Sequence, residues 1–252
     1  MATATFTIVD DLNFFLPRQH KNKPITHSWD WKASIKDMIE SFGVPHPEID
    51  LIVVNGKSVD FEYIMQDGDE VYVYPVPYFL THPLANKKRI IPEFEGRARF
   101  ILDTHLGRLA SYLRMMGFDT LYRNDYPDDE LAEVSNAEQR ILLTRDIGLL
   151  KRSLVLHGYY VRNTNPRKRL HEISKRYHLI DHIEPFKFCM KCNGQLNRVD
   201  KADVADQISP KTAEFYTEFH QCDACKQIYW KGSHYVKMEK LLDEVINSEA
   251  FD

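Results

Sequence analysis

The chain has 252 residues, 43% apolar and 28% charged, with a formal net charge of −4. That length argues for about two domains or three small ones, and that composition excludes a disordered or fibrous chain. No stretch approaches the roughly 18 apolar residues of a membrane span, and the opening MATATFTIVDDLNFF has no basic segment followed by an apolar one, so the expected place is the cytoplasm, with no membrane partner.

Residues 1–80 carry a net charge of −6. Residues 4–9 and 12–16 are expected as two short strands around Asp10-Asp11. Ser34 then caps a helix in which Ile35, Met38, Ile39 and Phe42 keep helical spacing, and Gly43 ends it. Leu51-Ile52-Val53-Val54 followed by Asn55-Gly56 reads as a strand and hairpin turn, and Val71-Tyr72-Val73-Tyr74-Pro75 as a further strand. The segments VVNGK and DGDEVYVYPV resemble the ubiquitin-like β-grasp sulfur-carrier domains. Those carriers act through a free C-terminal Gly-Gly; here the chain continues through Pro75-Val76-Pro77, so the expected role is to bind a protein partner or to dimerise. Residues 81–96, with Pro83, Pro92 and the triplet Lys87-Lys88-Arg89, read as a linker.

From residue 97 to 185 strands and helices alternate, and residues 81–185 together carry +4. Phe100-Ile101-Leu102 is a strand closed by Asp103. Leu106, Leu109, Ala110, Leu113 and Met116 form a helical stripe that stops at Gly117. Thr120-Leu121-Tyr122 is a second strand, and a helix opens at Asp128 or Asp129. Ile141-Leu142-Leu143-Thr144 is a third strand ending near Asp146, followed by a helix expected to run to Gly158. Tyr159-Tyr160-Val161 is a fourth strand, and Asn165-Pro166 opens a helix through Tyr177. This alternation implies an α/β parallel sheet wound with helices.

Asp103 and Asp146 both follow strands, and in such sheets ligands bind outside the carboxyl ends of the strands. Two carboxylates about 4 Å apart repel by roughly 4 kcal/mol at an effective dielectric near 20, so a crevice gathering Asp103, Asp146 and Asp128 calls for protons or a cation. Oxygen ligands suit Mg²⁺ or Mn²⁺. Plain helix capping also accounts for Asp128 or Asp129, and for Asp146. A receiver domain would need an acidic pair after its first strand and a lysine ending its last. A haloacid-dehalogenase site would need Asp-x-Asp, where this chain has Asp103-Thr104-His105.

Arg162, Arg167, Lys168, Arg169, Lys175 and Arg176 lie within fifteen residues that hold one acid, Glu172. They read as a sequence-blind phosphate-binding face or as a solvated helix face. Arg108 reads as a contact to a scissile phosphate or as a salt bridge to one of the acids.

Residues 186–252 hold all four cysteines, as Cys189-x-x-Cys192 and Cys222-x-x-Cys225, before a helix near 238–246. Four thiolates close a tetrahedral Zn²⁺ site with no open position, so the metal is expected to be structural. Gly194 is expected to take the knuckle's backbone bend. Trp230, Lys231, His234 and Tyr235 read as RNA contacts, with core packing the alternative for Trp230.

FILDTHLGRLASYLRMMGFDTLYRND, DDELAEVSNAEQRILLTRD and YYVRN, continuing into the cysteine pairs and YWKGSH, resemble the mut-seven C-terminal RNase domain, a PIN-like nuclease family with a zinc ribbon and a β-grasp fusion partner. The resemblance implies metal-dependent cleavage of RNA. Carried over by position, its acids are Asp103, Asp128 (or its neighbour Asp129) and Asp146. Arg145 belongs to the same Thr-Arg-Asp motif. After Asp146 the chain reads Ile147-Gly148 where a fourth acid is expected, and Asn163 is the candidate for that place. The rival function is a non-catalytic RNA-binding adaptor.

Overall fold

The computed structural model describes residues 1–76, 89–90 and 96–246. Of the expected linker only Arg89, Ile90 and Gly96 fall in that range, and Arg89 donates to the buried Asp50 at 2.8 Å.

The first unit comprises β1 (Ala2–Ile8), β2 (Ile25–Trp29), α1 (Ile35–Ser41), β3 (Ile49–Val54), β4 (Lys57–Val59) and β5 (Asp69–Pro75). They form one sheet in the order β2-β1-β5-β3-β4, with β1 and β5 parallel and the other pairs antiparallel. Alternation along β1 and β5 turns Phe6, Ile8, Val71 and Val73 into one core with Ile35, Met38 and Ile39 of α1. Ser34 caps α1 by accepting from the Asp37 amide at 3.1 Å, as the sequence indicates. The strand expected at 12–16 is instead part of a 3₁₀ helix, Asp10–Phe15. Leu12 and Leu16, four residues apart, bury together, and Asn13 Nδ2 donates to the carbonyls of Ile8 (2.7 Å) and Asp10 (3.0 Å). These bonds turn the chain away from the sheet, and β2 supplies β1's antiparallel neighbour.

The middle unit runs β6 (Phe100–Leu102), α2 (Gly107–Met115), β7 (Thr120–Tyr122), α3 (Asp128–Ala137), β8 (Ile141–Thr144), α4 (Ile147–Leu150), β9 (Gly158–Tyr160) and α5 (Pro166–Arg176). Its four strands are all parallel, in the order β7-β6-β8-β9. Phe100, Leu102 and Leu143 pack with α2 and α5, while Ile101 and Leu142 pack with α3 and α4. Burial on both faces is why these strands read as unbroken apolar runs. Strand order reverses between β6 and β8, so the switch point of the sheet lies at their carboxyl ends. The helix expected to continue to Gly158 ends at Leu150, and Leu154 and Leu156 are exposed. Residues beyond it serve the first unit: Lys151 Nζ donates to the Glu40 carbonyl at 2.5 Å, and the Val155 carbonyl bonds His46 Nε2 at 2.9 Å.

The last unit is a three-stranded antiparallel ribbon of β10 (Leu196–Val199), β11 (Phe219–Cys222) and β12 (Ile228–Trp230), with α6 (Pro210–Phe215) inserted before β11. Helix α7 (Ser233–Ile246) starts earlier than expected. It does not stay with the ribbon: Leu241 and Leu242 bury in the middle unit's core beside Leu170 and Ile173. Among the described residues no helix is long and apolar enough to cross a membrane.

The acidic first unit and the basic middle unit neutralise each other. Glu48, fully buried, lies 3.2 Å from Arg162 Nη2 and 3.4 Å from Arg176 Nη2, and its other oxygen accepts from the Tyr160 amide at 2.7 Å. Asp11 adds contacts of 3.4 and 3.9 Å to the same two guanidiniums. Burial works against the Arg162 cation, but the Glu48 carboxylate outweighs it and holds the group above its ordinary value. Arg176, read in the sequence as part of a phosphate-binding face, is 7% exposed here and committed to Glu48, Asp11 and the Val76 carbonyl. Glu48→Ala leaves two buried cations short of their counter-charge and is expected to cost about 3–5 kcal/mol in urea unfolding. A loss below 1 kcal/mol would show that Asp11 alone holds the units together.

Candidate active site and metal centre

Asp103 and Asp146 follow adjacent strands on either side of the switch point. Their link is Thr144, the last residue of β8 and fully buried. Thr144 Oγ1 donates to Asp103 Oδ2 at 2.6 Å and accepts from the Asp146 amide at 2.9 Å. Asp103 Oδ1 accepts from the Thr104 amide at 2.5 Å, and the Asp103 amide donates to the Leu143 carbonyl. Asp146 caps α4 through Oδ1, which accepts from Gly148 N (2.6 Å) and Leu149 N (3.2 Å). The Asp146 carboxylate thus caps α4, and the contact with Thr144 is made by the Asp146 backbone amide. Among the described residues, neither carboxylate is paired with an arginine. Thr144 lies in the Thr-Arg-Asp motif, but its bridging role shows only once β6 and β8 are known to be neighbours.

Asp128 and Asp129 open α3, exposed, and share Arg152: Asp129 is in close contact with Nη1, whereas Asp128 lies 3.8 Å from Nη2. Among the described residues, no three acids or histidines gather tightly enough for a metal. Asn163 uses its side-chain amide on Glu172 at 2.8 Å. Arg108 is exposed in the first turn of α2 and forms no salt bridge with a described residue. Arg167 pairs with Glu244 at 2.7 Å, and Lys168 and Lys175 are exposed on α5. Arg145 and Arg169 bond backbone carbonyls at the end of β9.

The four cysteine sulfurs lie within 4.8 Å of one another, with Cys189–Cys225 at 3.6 Å and Cys192–Cys222 at 3.4 Å. Tetrahedral Zn–S bonds of about 2.3 Å require sulfurs roughly 3.8 Å apart, so the cage is of the right size. Burial pushes the Cys189 thiol up, but the Tyr229 hydroxyl and the amides of Cys192 and Lys191 bring it down to about 7. Burial, with the neighbouring sulfurs, pushes Cys192 up to about 12. Four sulfurs this close ionise together only around a cation. The bend of the knuckle falls on Asn193 (φ +69°), not on Gly194. Gly194 is needed for room, since a Cβ there would sit 2.7 Å from Cys222 Sγ.

The knuckle docks onto the middle unit through residues that sequence reasoning overlooked. Buried Arg114 donates from Nη1 to the carbonyls of Met190 and Lys191 (3.1 Å each) and from Nε to the Thr120 carbonyl (2.9 Å). Asn193 accepts from the Thr120 amide and donates to Asp119, which Arg140 holds with two 2.8 Å bonds. An arginine inside an apolar helical stripe was the available signal for Arg114. On the ribbon, Trp230 packs against the Val204–Phe219–Ile228 cluster, Lys231 lies 3.7 Å from Glu218, and Tyr235 stacks on Phe186 at 4.9 Å. The His234 side chain lies outside the described residues.

Residues 98–242 match the family model of the Mut7-C RNAse domain, and residues 1–80 match that of the Mut7-C ubiquitin. No curated protein and no solved structure matches the chain. The first match covers more than half of the sequence, and the bonds from Arg114 and Asn193 explain why it runs through sheet and ribbon without a break. The chain belongs to the Mut7-C RNAse domain family, fused to a Mut7-C ubiquitin unit at its N-terminal side.

Proposed function

We propose that this chain is a metal-dependent ribonuclease whose site lies at the switch point between β6 and β8. The observation that carries the reading is the Thr144 hydroxyl joining the Asp103 carboxylate to the Asp146 backbone amide, with neither acid spent on an arginine among the described residues. Mg²⁺ commonly uses one or two carboxylates plus substrate phosphates, so this donor set fits it, and Mn²⁺ with it. Asp128, the looser of the two partners of Arg152, is the candidate third acid, although it is not gathered with Asp103 and Asp146 in this structure. A divalent ion there would supply Lewis-acid charge and ease the formation of a hydroxide nucleophile. The chain's own part is orientation. Thr144 fixes one oxygen of Asp103, Thr104 fixes the other, and the α4 amides fix Asp146. Exposed Arg108, Arg167, Lys168 and Lys175 attract the RNA backbone. Zn²⁺ on the four cysteines is structural.

The pairing of Asp128 and Asp129 with Arg152 favours the second reading, an RNA-binding adaptor. One experiment separates the two: single-stranded RNA is incubated with Mg²⁺ or Mn²⁺ and either the native chain or Asp103→Asn. Cleavage by the native chain alone supports the nuclease. Equal cleavage by both defeats the nuclease reading at Asp103; no cleavage by the native chain alongside salt-dependent binding favours the adaptor. Thr144→Val removes the shared hydroxyl at nearly constant volume. It is expected to lower cleavage about 10–100-fold, as loss of an outer partner of a metal ligand does. A higher Mn²⁺ concentration needed for half-maximal rate identifies the effect as positioning; an unchanged rate and Mn²⁺ dependence removes Thr144 from the site.

A further inference from the structure

Two arginines, Arg145 and Arg169, lie beside the strand ends. Arg145 follows β8, and Arg169 lies in the second turn of α5. Both guanidiniums converge on a single oxygen. Arg145 Nη1 donates to the Asn163 carbonyl at 2.9 Å, and Arg169 Nε donates to the same carbonyl at 2.8 Å. Arg145 Nη1 also reaches the carbonyls of Val161 (2.8 Å) and Arg162 (3.0 Å). Arg169 Nη1 reaches the carbonyl of His105 at 3.3 Å, two residues past Asp103. His105 has φ +68°, an uncommon backbone state for a residue with a side chain. The loop leaving β6, the end of β8 and the end of β9 thus meet around two cations.

The two cations lack the neutralisation their neighbours have. Arg162 and Arg176 share Glu48 and Asp11, whereas neither Arg145 nor Arg169 pairs with a carboxylate among the described residues. Glu172, the nearby acid, spends both oxygens on neutral donors: the Tyr159 hydroxyl and Arg162 amide on one, the Asn163 amide and side chain on the other. Burial first, and then the charge of Arg145, hold the Arg169 guanidinium below its ordinary value. Like charges pressed together, with carbonyl dipoles against them and Glu172 acting on Arg169 more weakly than burial and Arg145 do, favour an anion. Each also has donors to spare. The Nε atoms of Arg162 and Arg176 are sealed without partners, whereas Arg145 Nε and Nη2 and Arg169 Nη2 are neither sealed nor hydrogen-bonded among the described residues, and both residues are half-buried.

We propose that Arg145 and Arg169 form a phosphate clamp, a two-guanidinium site for a phosphodiester of single-stranded RNA, held by the Asn163 carbonyl beside the strand ends that carry Asp103 and Asp146. The planar forks suit the non-bridging oxygens of a phosphodiester. The clamp takes its ligand class from the ribonuclease reading and names the residues that register the backbone against the acids.

The test measures binding apart from cleavage. A fluorescein-labelled oligouridylate is titrated with the full chain, without Mg²⁺ or Mn²⁺, over a salt series followed by fluorescence anisotropy. Arg145→Gln and Arg169→Gln are each expected to weaken binding about tenfold, the worth of a charge-assisted hydrogen bond. Each also lowers the slope of log affinity against log salt by about 0.7, one phosphate on a single strand. Lys32→Gln, the same charge change on the first unit, leaves both unchanged. If Arg145→Gln fails to fold, Arg169→Gln and Arg145→Lys decide; the lysine keeps the slope and binds more weakly. Native affinity and slope in folded Arg169→Gln would overturn the clamp. Loss of binding in these variants with no cleavage by the native chain would keep the clamp and sink the nuclease; the reverse result would do the opposite.

Discussion

Removing a metal held by the four-cysteine cage, or replacing Cys222 with serine, is expected to unfold the ribbon and loosen the middle sheet with it. The ribbon's own core is small: Val204, Phe219 and Ile228 are its buried apolar residues, with Trp230, Tyr216, Val199 and Ile208 packed partly against them. A structural Zn²⁺ contributes on the order of 10–16 kcal/mol in small peptides, far more than such a cluster supplies. The effect spreads because the knuckle carbonyls of Met190 and Lys191 are the partners of buried Arg114, and Asn193 is the partner of the Thr120 amide. If the knuckle departs, those donors lose their acceptors inside the protein, at about 1–3 kcal/mol each. Asp119 also loses a bond; burial pushes its carboxyl up, and the bonds from Arg140 and Asn193 now outweigh that. Hydrogen exchange after chelation is expected to show lost protection at Thr120–Tyr122 while the amides of β1 and β5 keep theirs. Unchanged protection in β7 would mean that the ribbon is a passenger.

The same contacts show what the sequence discloses and what it withholds. Strands β6 and β8 were legible because both faces of the middle sheet are covered, which leaves FIL and ILLT as uninterrupted apolar runs. Caps were legible because they are local: Ser34 and Asn165 each bond amides two or three residues ahead. One failure was local: residues 12–16, LNFFL, are mostly apolar as a short strand would be, yet Asn13 ties them to Ile8 and Asp10 as a turn. The others came where a distant partner overrode a local pattern. Leu150 and Leu154 keep helical spacing, yet the following loop is drawn toward His46 and Glu40 of the first unit. Arg176 shares a helix with exposed basic residues, yet its face meets Glu48, 128 positions earlier in the chain. Charge type and helical phase are written in the sequence; the identity of an opposing domain is not. For the candidate site, the motif positions marked Asp103 and Asp146, while the hydroxyl between them became visible only with strand order.

Asp103→Asn and Asp146→Asn are each expected to lower RNA cleavage by about 10²–10³, the usual worth of one preorganised electrostatic group in an active site. The substitutions are chosen so that the fold survives. Asparagine caps a helix about as well as aspartate, so the α4 amides of Gly148 and Leu149 keep an acceptor at position 146. At position 103 the amide oxygen can still accept from the Thr104 amide, and the amide nitrogen can donate to Thr144 Oγ1, which has a lone pair to spare. The negative charge is lost, and with it the acceptor of the Thr144 hydroxyl proton. Urea midpoints within the spread of ordinary surface substitutions, about 0.5 kcal/mol, would confirm that cleavage and stability have been separated. The double variant carries the decisive arithmetic. If the two carboxylates act as one unit through Thr144, removing both costs little more than removing either, as in other catalytic groups that work together. Losses that multiply in the double variant would mean two independent contributions and no shared ion. Full cleavage by Asp103→Asn would move the chemistry away from the switch point altogether, leaving Thr144 as the cap of a sheet end and the protein as a binder of RNA.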